Sequence, residues 1–325
     1  MAADSAALQK LEQISRLQLP FSPTPVEALP RLGAAITGGL DLLVKRDDAI
    51  PIGFGGNKIR KLFVVAAQAQ AFGADTLITT GGIQSNHARA TASIAARLGL
   101  GCVLVANGAP QPKPTANALL DRLLGADVRY VASREGRAPA MLTVAGELRA
   151  KGRKPFVIPL GASTAHGAAA YALAVTELLA QAPAPDVIVI STSSGGTQAG
   201  LLAGCALHGL STRIIGISAD DPAAVLTSEI RRIHRDLAVL VGRAPDAFED
   251  ISIEVDDTFV GGGYGVPTPA STEALEISAR QEALFLDPTY TAKAMAGLIA
   301  KARAGDFTGR RVLFWHTGGQ VGLFA

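Results

Sequence analysis

Cysteine is almost absent from this chain and no charge of either sign dominates it, and each shortage closes off a class of protein. The two cysteines in 325 residues, Cys102 in a strand-like run and Cys205 in a helix-like run, cannot build a disulfide framework and read as small buried apolar residues. The five histidines (His87, His166, His208, His234, His316) have no HExxH or CxxC companion, so the common zinc patterns are missing. A net charge of +2 is too small to mark nucleic acid or an anionic membrane as a partner. No apolar run is long enough to span a bilayer, and the opening MAADSAALQKLEQ lacks the apolar core of a signal peptide. A cytoplasmic protein without metal, nucleic acid or membrane as partner is expected.

What is present is a large apolar fraction (48%) and abundant glycine (35 residues), which together suit a sizeable core with many tight turns. The prolines of Phe21-Ser22-Pro23-Thr24-Pro25 and Leu29-Pro30-Arg31-Leu32 predict an extended entry arm, followed by a strand at Leu42–Arg46. Beyond it, helix and strand patterns alternate. Helices are predicted over 61–72, 86–98, 115–124, 139–151, 168–181, 198–208 and 227–241, and short β-branched strands fall between them. The last of these helices carries Ile230, Ile233, Leu237 and Leu240 on one face. This alternation is that of βαβ units and parallel sheets. Glycine-bearing turns near Lys58 and Gly161 suggest a small α/β block, 59–162, inserted into a larger unit made of 1–58 and 163–325, with a cleft between them.

Six stretches carry candidate chemistry. In Gly55-Gly56-Asn57-Lys58-Ile59-Arg60-Lys61-Leu62 a lysine sits at the start of a helix. There the helix dipole disfavours a cation, and an amine of lowered pKa is what covalent catalysis requires. The competing reading is a solvated basic cluster with Arg60 and Lys61. In Thr80-Gly81-Gly82-Ile83-Gln84-Ser85-Asn86-His87 a strand leads into a helix N-terminus suited to an amino-acid carboxylate, with Ser85 or Asn86 as the alternative simple N-cap. Ser191–Gly200 makes a similar turn of hydroxyls and glycines. It has neither a P-loop ending nor GxGxxG, so it fits the phosphate of a smaller cofactor. Gly261–Pro267 presents Tyr264 on a glycine-rich loop, and Leu286–Ala294 sets Tyr290 at a helix start. The strand Val312–His316 ends in Thr317-Gly318-Gly319, where a flat ring could rest, with His316 reading as a satisfied buried histidine.

Together, in this order, GGNKxRKL, GGIQSNH, GTQAG, YGVPT, DPxYTxKAMAGLI and HTGG resemble the fold-type II (tryptophan synthase β-like) pyridoxal-phosphate enzymes. More closely they resemble the branch holding D-cysteine desulfhydrase, L-cysteate sulfo-lyase and 1-aminocyclopropane-1-carboxylate deaminase. The resemblance implies that Lys58 bonds to the pyridoxal aldehyde and acts as the base at Cα, and that Asn86 meets the ring hydroxyl. It implies that Ser194, Gly195, Gly196 and Thr197 hold the phosphate and that Thr317 faces the pyridine nitrogen. Ser85, Asn86 and His87 would bind the substrate, and Tyr264 and Tyr290 would line its side of the ring. A homodimer acting on a small amino acid is the family expectation. His87, Thr291 and Thr317 stand where the deaminase pattern has Gln, Glu and Leu, which favours the sulfur lyases. A hydroxyl at the ring nitrogen makes a weaker electron sink, suited to β-elimination. The deaminase, and a racemase using Ser85 as second base, are the alternatives. Asn107–Pro114 and Gly161–Gly167 also depart from the branch and are expected to border the substrate pocket.

Overall fold

The computed structural model describes residues 2–17 and 23–325. Among the described residues ten strands form two sheets. β1 (Val26–Ala28), β2 (Asp41–Arg46), β7 (Val187–Thr192), β8 (Arg213–Ser218), β9 (Glu254–Asp256) and β10 (Arg311–His316) pair in the order β1-β2-β10-β7-β8-β9. β3 (Thr76–Gly82), β4 (Gly101–Asn107), β5 (Asp127–Val131) and β6 (Pro155–Val157) pair in the order β5-β4-β3-β6. Every pairing is parallel except β1 with β2. The fold is the α/β arrangement that the alternation of patterns predicts.

Side-chain alternation explains why both faces of the larger sheet are covered. Ile188, Ile190, Leu313 and Trp315 face one apolar layer with the helices Ala165–Leu179, Gly196–Leu207 and Ala223–Leu240. Val187, Val189, Val312 and Phe314 face the opposite layer with the helix Thr291–Arg303. In the smaller sheet Leu77, Cys102 and Leu104 pack on the helices Asn57–Ala71 and Asn86–Leu98, while Ile78, Val103 and Val105 pack on the helix Arg137–Ala150. Both cysteines are buried, as read. Among the described residues no helix is long and apolar enough to cross a membrane.

Two expectations need correction. Pro30 does not extend an arm: it opens the helix Pro30–Thr37, where its missing N–H costs nothing, and Gly38 (φ 81°) ends that helix. Phe21 and Ser22 lie outside the described residues. Arg60 and Lys61 are not a solvated cluster, since both are buried. Arg60 binds Asp47 at 2.6 Å and Glu177 at 2.8 Å, and Asp47 also accepts from Trp315 Nε1 (2.8 Å) and from the Tyr171 hydroxyl. Burial alone would raise the Asp47 carboxyl, but the Arg60 charge and these hydrogen bonds hold it below the ordinary value. This network ties the helix bearing Lys58 to the turn after β2 and to the helix Ala165–Leu179.

Candidate active site

Most of the chemistry-bearing stretches follow the carboxyl ends of parallel strands, where open α/β sheets place their ligands; the Tyr290 stretch instead follows the helix Pro269–Glu282. β3 leads to Ser85–His87, β7 to Ser191–Thr197, β8 to Asp220 and β10 to Thr317–Gly319. The helix Asn57–Ala71 enters this ring of turns through a close backbone approach. Asn57 N–H donates to the Thr317 carbonyl (2.9 Å), a Cβ on Gly56 (φ 97°) would stand 2.8 Å from that carbonyl, and one on Gly318 (φ 84°) would stand 2.6 Å from Gly56 Cα. Only glycine fits at these two positions.

Lys58 therefore points from the first helical turn into the cleft, beside Gly161. Burial pushes its amine down to about 8, against the pull of the Asp220 carboxylate. Lys61, one turn further along the same face, was not singled out as functional in the sequence, although its spacing of three from Lys58 is the available signal. Its Nζ donates to the Gly161 carbonyl (3.1 Å) and to Ser163 Oγ (3.4 Å), and burial, then Lys58, lowers its pKa well below the usual lysine value.

Around these amines the β7 turn forms an anion cup. Gly195 (φ 72°) precedes the helix Gly196–Leu207; Gly196 N–H donates to the Ser194 carbonyl (2.9 Å), and no side chain caps the helix, so the N–H groups that follow are available. Ser163 donates to Ser194 Oγ (2.7 Å), Asn57 Nδ2 to Thr197 Oγ1 (3.0 Å), and a Cβ on Gly196 would stand 2.9 Å from Lys61 Nζ. The buried hydroxyls of Ser191 and Thr192 have no partner. Uncapped N–H groups, orphaned hydroxyls and a buried amine that a bound anion would help to protonate fit a phosphate dianion.

On the other side of Lys58, Ser85 caps the helix Asn86–Leu98 by accepting from Ala88 N–H (3.2 Å). Asn86 Oδ1 accepts from Asn117 Nδ2 (2.9 Å), which leaves its own amide N–H groups as donors. His87 Nε2 bonds Thr79 Oγ1 (2.8 Å); burial, with Lys58 and Lys61 adding to it, keeps the imidazole neutral.

Tyr264 and Tyr290 meet across the cleft mouth, hydroxyl to hydroxyl at 2.6 Å. Buried Lys293 steadies the Tyr264 loop by donating to the carbonyls of Val260 (2.7 Å) and Gly263 (2.8 Å). Asp287 fixes Tyr290, accepting from its N–H (2.9 Å) and from Thr291 N–H (2.8 Å) and Oγ1 (2.7 Å). The Thr291 hydroxyl thus faces Asp287 rather than the cleft.

The structure gathers the predicted residues into two adjoining hollows that share Lys58, Ser194 and Tyr290. Asn86, Gly195, Thr197 and Thr317 line one, and Ser85, His87 and Tyr264 line the other. Gly196 lies just behind the cup as the first residue of its helix. Sequence reasoning missed Asp220, Arg134 and Arg137, which also line the second hollow. His316 is the satisfied histidine expected, with Nδ1 accepting from Gly318 N–H (3.1 Å) and Nε2 bonding the Phe285 carbonyl (3.0 Å). The two divergent stretches border the second hollow only through Asn107 and Gly161; Gln111, Pro112 and Pro114 line a separate hollow behind Gly81 and Gly82.

Residues 17–318 match the family model described as "Pyridoxal-phosphate dependent enzyme". The chain belongs to that family: it is a pyridoxal-phosphate-dependent lyase of fold type II. It is 38% identical over 328 residues to a 1-aminocyclopropane-1-carboxylate deaminase of Methylobacterium nodulans, covering 96% of this chain and 97% of that one. It is equally 38% identical over 327 residues to a D-cysteine desulfhydrase of Salmonella choleraesuis, covering 98% of each. A crystal structure of an ACC deaminase homologue superposes with a TM-score of 0.90 at 35% identity, covering 98% of this chain and 96% of that one.

Proposed function

We propose that the chain removes a β-substituent from a small amino acid, in the manner of a D-cysteine desulfhydrase or an L-cysteate sulfo-lyase, giving pyruvate, ammonia and sulfide or sulfite. Bound pyridoxal phosphate supplies the delocalisation that makes the Cα proton acidic. The chain's residues do the rest. Lys58 would carry the cofactor and would take the Cα proton as general base, a task for which an amine near 8 is suited. Ser194, Gly195, Gly196 and Thr197 hold the phosphate with Lys61 behind them, Asn86 offers its amide to the ring hydroxyl, and Thr317 faces the ring nitrogen. The N-terminus of the helix Asn86–Leu98, with Ser85 and His87, takes the α-carboxylate. Tyr264 and Tyr290 give a proton to the departing group or steer it. The same reading assigns 59–162 to a small domain and 1–58 with 163–325 to the large one, in a homodimer.

The observation that carries elimination over ring opening is the tyrosine pair. Thr291, where the deaminase pattern has Glu, is turned to Asp287, so neither phenol has a hydrogen-bonded carboxylate to act with it. The deaminase stays as the second reading because deaminase and desulfhydrase relatives are equally similar. A panel of D-cysteine, L-cysteine, β-chloro-D-alanine, L-cysteate, D-serine and 1-aminocyclopropane-1-carboxylate separates them. Pyruvate from the β-substituted substrates is expected; 2-oxobutyrate from the cyclopropane alone, or racemisation alone, would overturn the assignment.

A further inference from the structure

Arg137 carries a charge for which the chemistry above has no use. It opens the helix Arg137–Ala150, is only 9% exposed, and lines the same hollow as Lys58, Ser85 and Tyr264. Its Nε donates to the Arg134 carbonyl at 3.0 Å and one Nη lies 3.5 Å from Asn107 Oδ1. Among the described residues no carboxylate lies within ion-pair distance of it, whereas its neighbour Arg134 is exposed and engaged with Asp221 (3.0 Å) and Asp220 (3.7 Å). A guanidinium stays protonated at any working pH, so this is a permanent, largely buried cation on which the Glu135 and Asp220 carboxylates act through space without forming an ion pair. A buried charge without a paired partner is costly, which points to an anion that arrives with the substrate.

The α-carboxylate already has its place at the N-terminus of the helix Asn86–Leu98. Asp220, the acidic group facing the same hollow, lies 3.7 Å from Arg134, and Glu135 is exposed to solvent, so each acts on Arg137 through space without pairing with it. The remaining neighbours, Tyr264, Tyr290 and His87, are neutral in their ordinary state here.

Building on the β-elimination reading, we propose that Arg137 forms an anion subsite for a second acidic group on the substrate side chain, so that the enzyme selects dianionic amino acids, with a β-sulfonate such as L-cysteate the best fit. The planar fork of the guanidinium matches two oxygens of a sulfonate or carboxylate. The reaction balances with water as the only co-reactant. The Cα–H bond breaks with its proton going to Lys58, and the Cβ–S bond breaks with its electron pair leaving on sulfur as sulfite. Water then hydrolyses the enamine left behind to pyruvate and ammonia. Negative charge grows on the sulfur group as it departs, so a fixed cation beside it is worth more in the transition state than before it.

The test uses the holoenzyme and 3-sulfopropanoate, a dianion without the amine needed to bond covalently, against propanoate as the monoanion. By titration calorimetry the dianion should bind at least about 10-fold more tightly than propanoate to the wild type, and Arg137→Gln should lose most of that margin while Arg137→Lys keeps part of it. In steady-state kinetics the ratio of kcat/KM for L-cysteate to that for β-chloroalanine of the same hand should fall about 100-fold in Arg137→Gln. A wild type that does not distinguish the two acids, or a ratio unchanged within about threefold, would overturn the subsite. Failure to release pyruvate from any substrate would instead sink the elimination reading, and the calorimetric comparison would still decide whether Arg137 holds a second anion.

Discussion

The hydroxyl oxygens of Tyr264 and Tyr290 lie 2.6 Å apart, with the rings tilted edge to face at 73° and their centroids 5.8 Å apart. One phenol donates and the other accepts, so a single proton remains free to point at whatever lies beside Lys58. Burial raises the pKa of both groups; Tyr264 raises that of Tyr290 further, while the hydrogen bond from Tyr290 partly lowers that of Tyr264, so the pair suits proton donation at neutral pH.

Replacing either ring hydroxyl should therefore slow the chemical step. Tyr264→Phe and Tyr290→Phe are each expected to lower kcat about 100-fold on a substrate with a poor leaving group such as cysteine, and less on β-chloroalanine, whose chloride needs no proton. Equal losses on both substrates would assign the pair to binding rather than proton delivery.

The pH dependence of cofactor capture follows from Lys58. An amine pushed down to about 8 by burial exists as the nucleophilic free base about two and a half decades of acidity below an ordinary lysine at 10.5. The rate at which the cofactor-free protein takes up pyridoxal phosphate should rise with pH and level off above about 8. Asp220→Asn should move that inflection lower, because the Asp220 carboxylate favours the charged amine. An inflection near 10.5 would contradict the placement of Lys58 in a desolvated cleft.

Gly161 reports on the same geometry. At φ 68° a side chain is strained, and its Cβ would stand 2.3 Å from Ser194 Oγ and 3.3 Å from Lys58 Nζ. Gly161→Ala is expected to destabilise the protein by about 1–3 kcal/mol and to weaken cofactor binding. Gly152→Ala, at φ 77° but facing open space, should cost stability without touching cofactor affinity. Matching affinity losses in the two variants, measured by cofactor titration alongside thermal unfolding, would remove Gly161 from the site.

A stability effect is expected from Asp121, in the separate hollow behind the Gly81-Gly82 turn. Burial pushes its carboxyl up to about 7, only partly opposed by Arg89. Its folded-state value lies above the ordinary 3.8, so the folded protein binds the proton more tightly, and stability falls as pH rises between those values. Asp121→Asn should raise the melting temperature above about pH 7, by the equivalent of roughly 1–3 kcal/mol, and have little effect near pH 4. A difference that does not vary with pH would show that the carboxyl is not the cause.

How far the site could be read from sequence depends on the kind of signal each residue leaves. Gly56, Gly195 and Gly318 mark positive φ and close approach, so the turns around Lys58, Ser194 and Thr317 announce themselves locally. Strand alternation and the helical stripe of Ile230, Ile233 and Leu237 likewise need only neighbours in sequence. Arg60 and Lys61 mislead because their burial depends on Asp47, Glu177, Gly161 and Ser163, brought to them only by the fold. Arg137 and Asp220 come from opposite sheets and no local pattern joins them. Pro30 misleads for another reason: the φ fixed by proline suits an extended arm and the first turn of a helix alike.

We propose that one amine, Lys58, carries pyridoxal phosphate, although Lys61 lies one helical turn away and also faces the anion cup. Borohydride reduction of the holoenzyme followed by peptide mass spectrometry decides it. A phosphopyridoxyl group is expected on Lys58 alone, lost in Lys58→Ala; a label on Lys61, or none at all, would rule Lys58 out as the carrier.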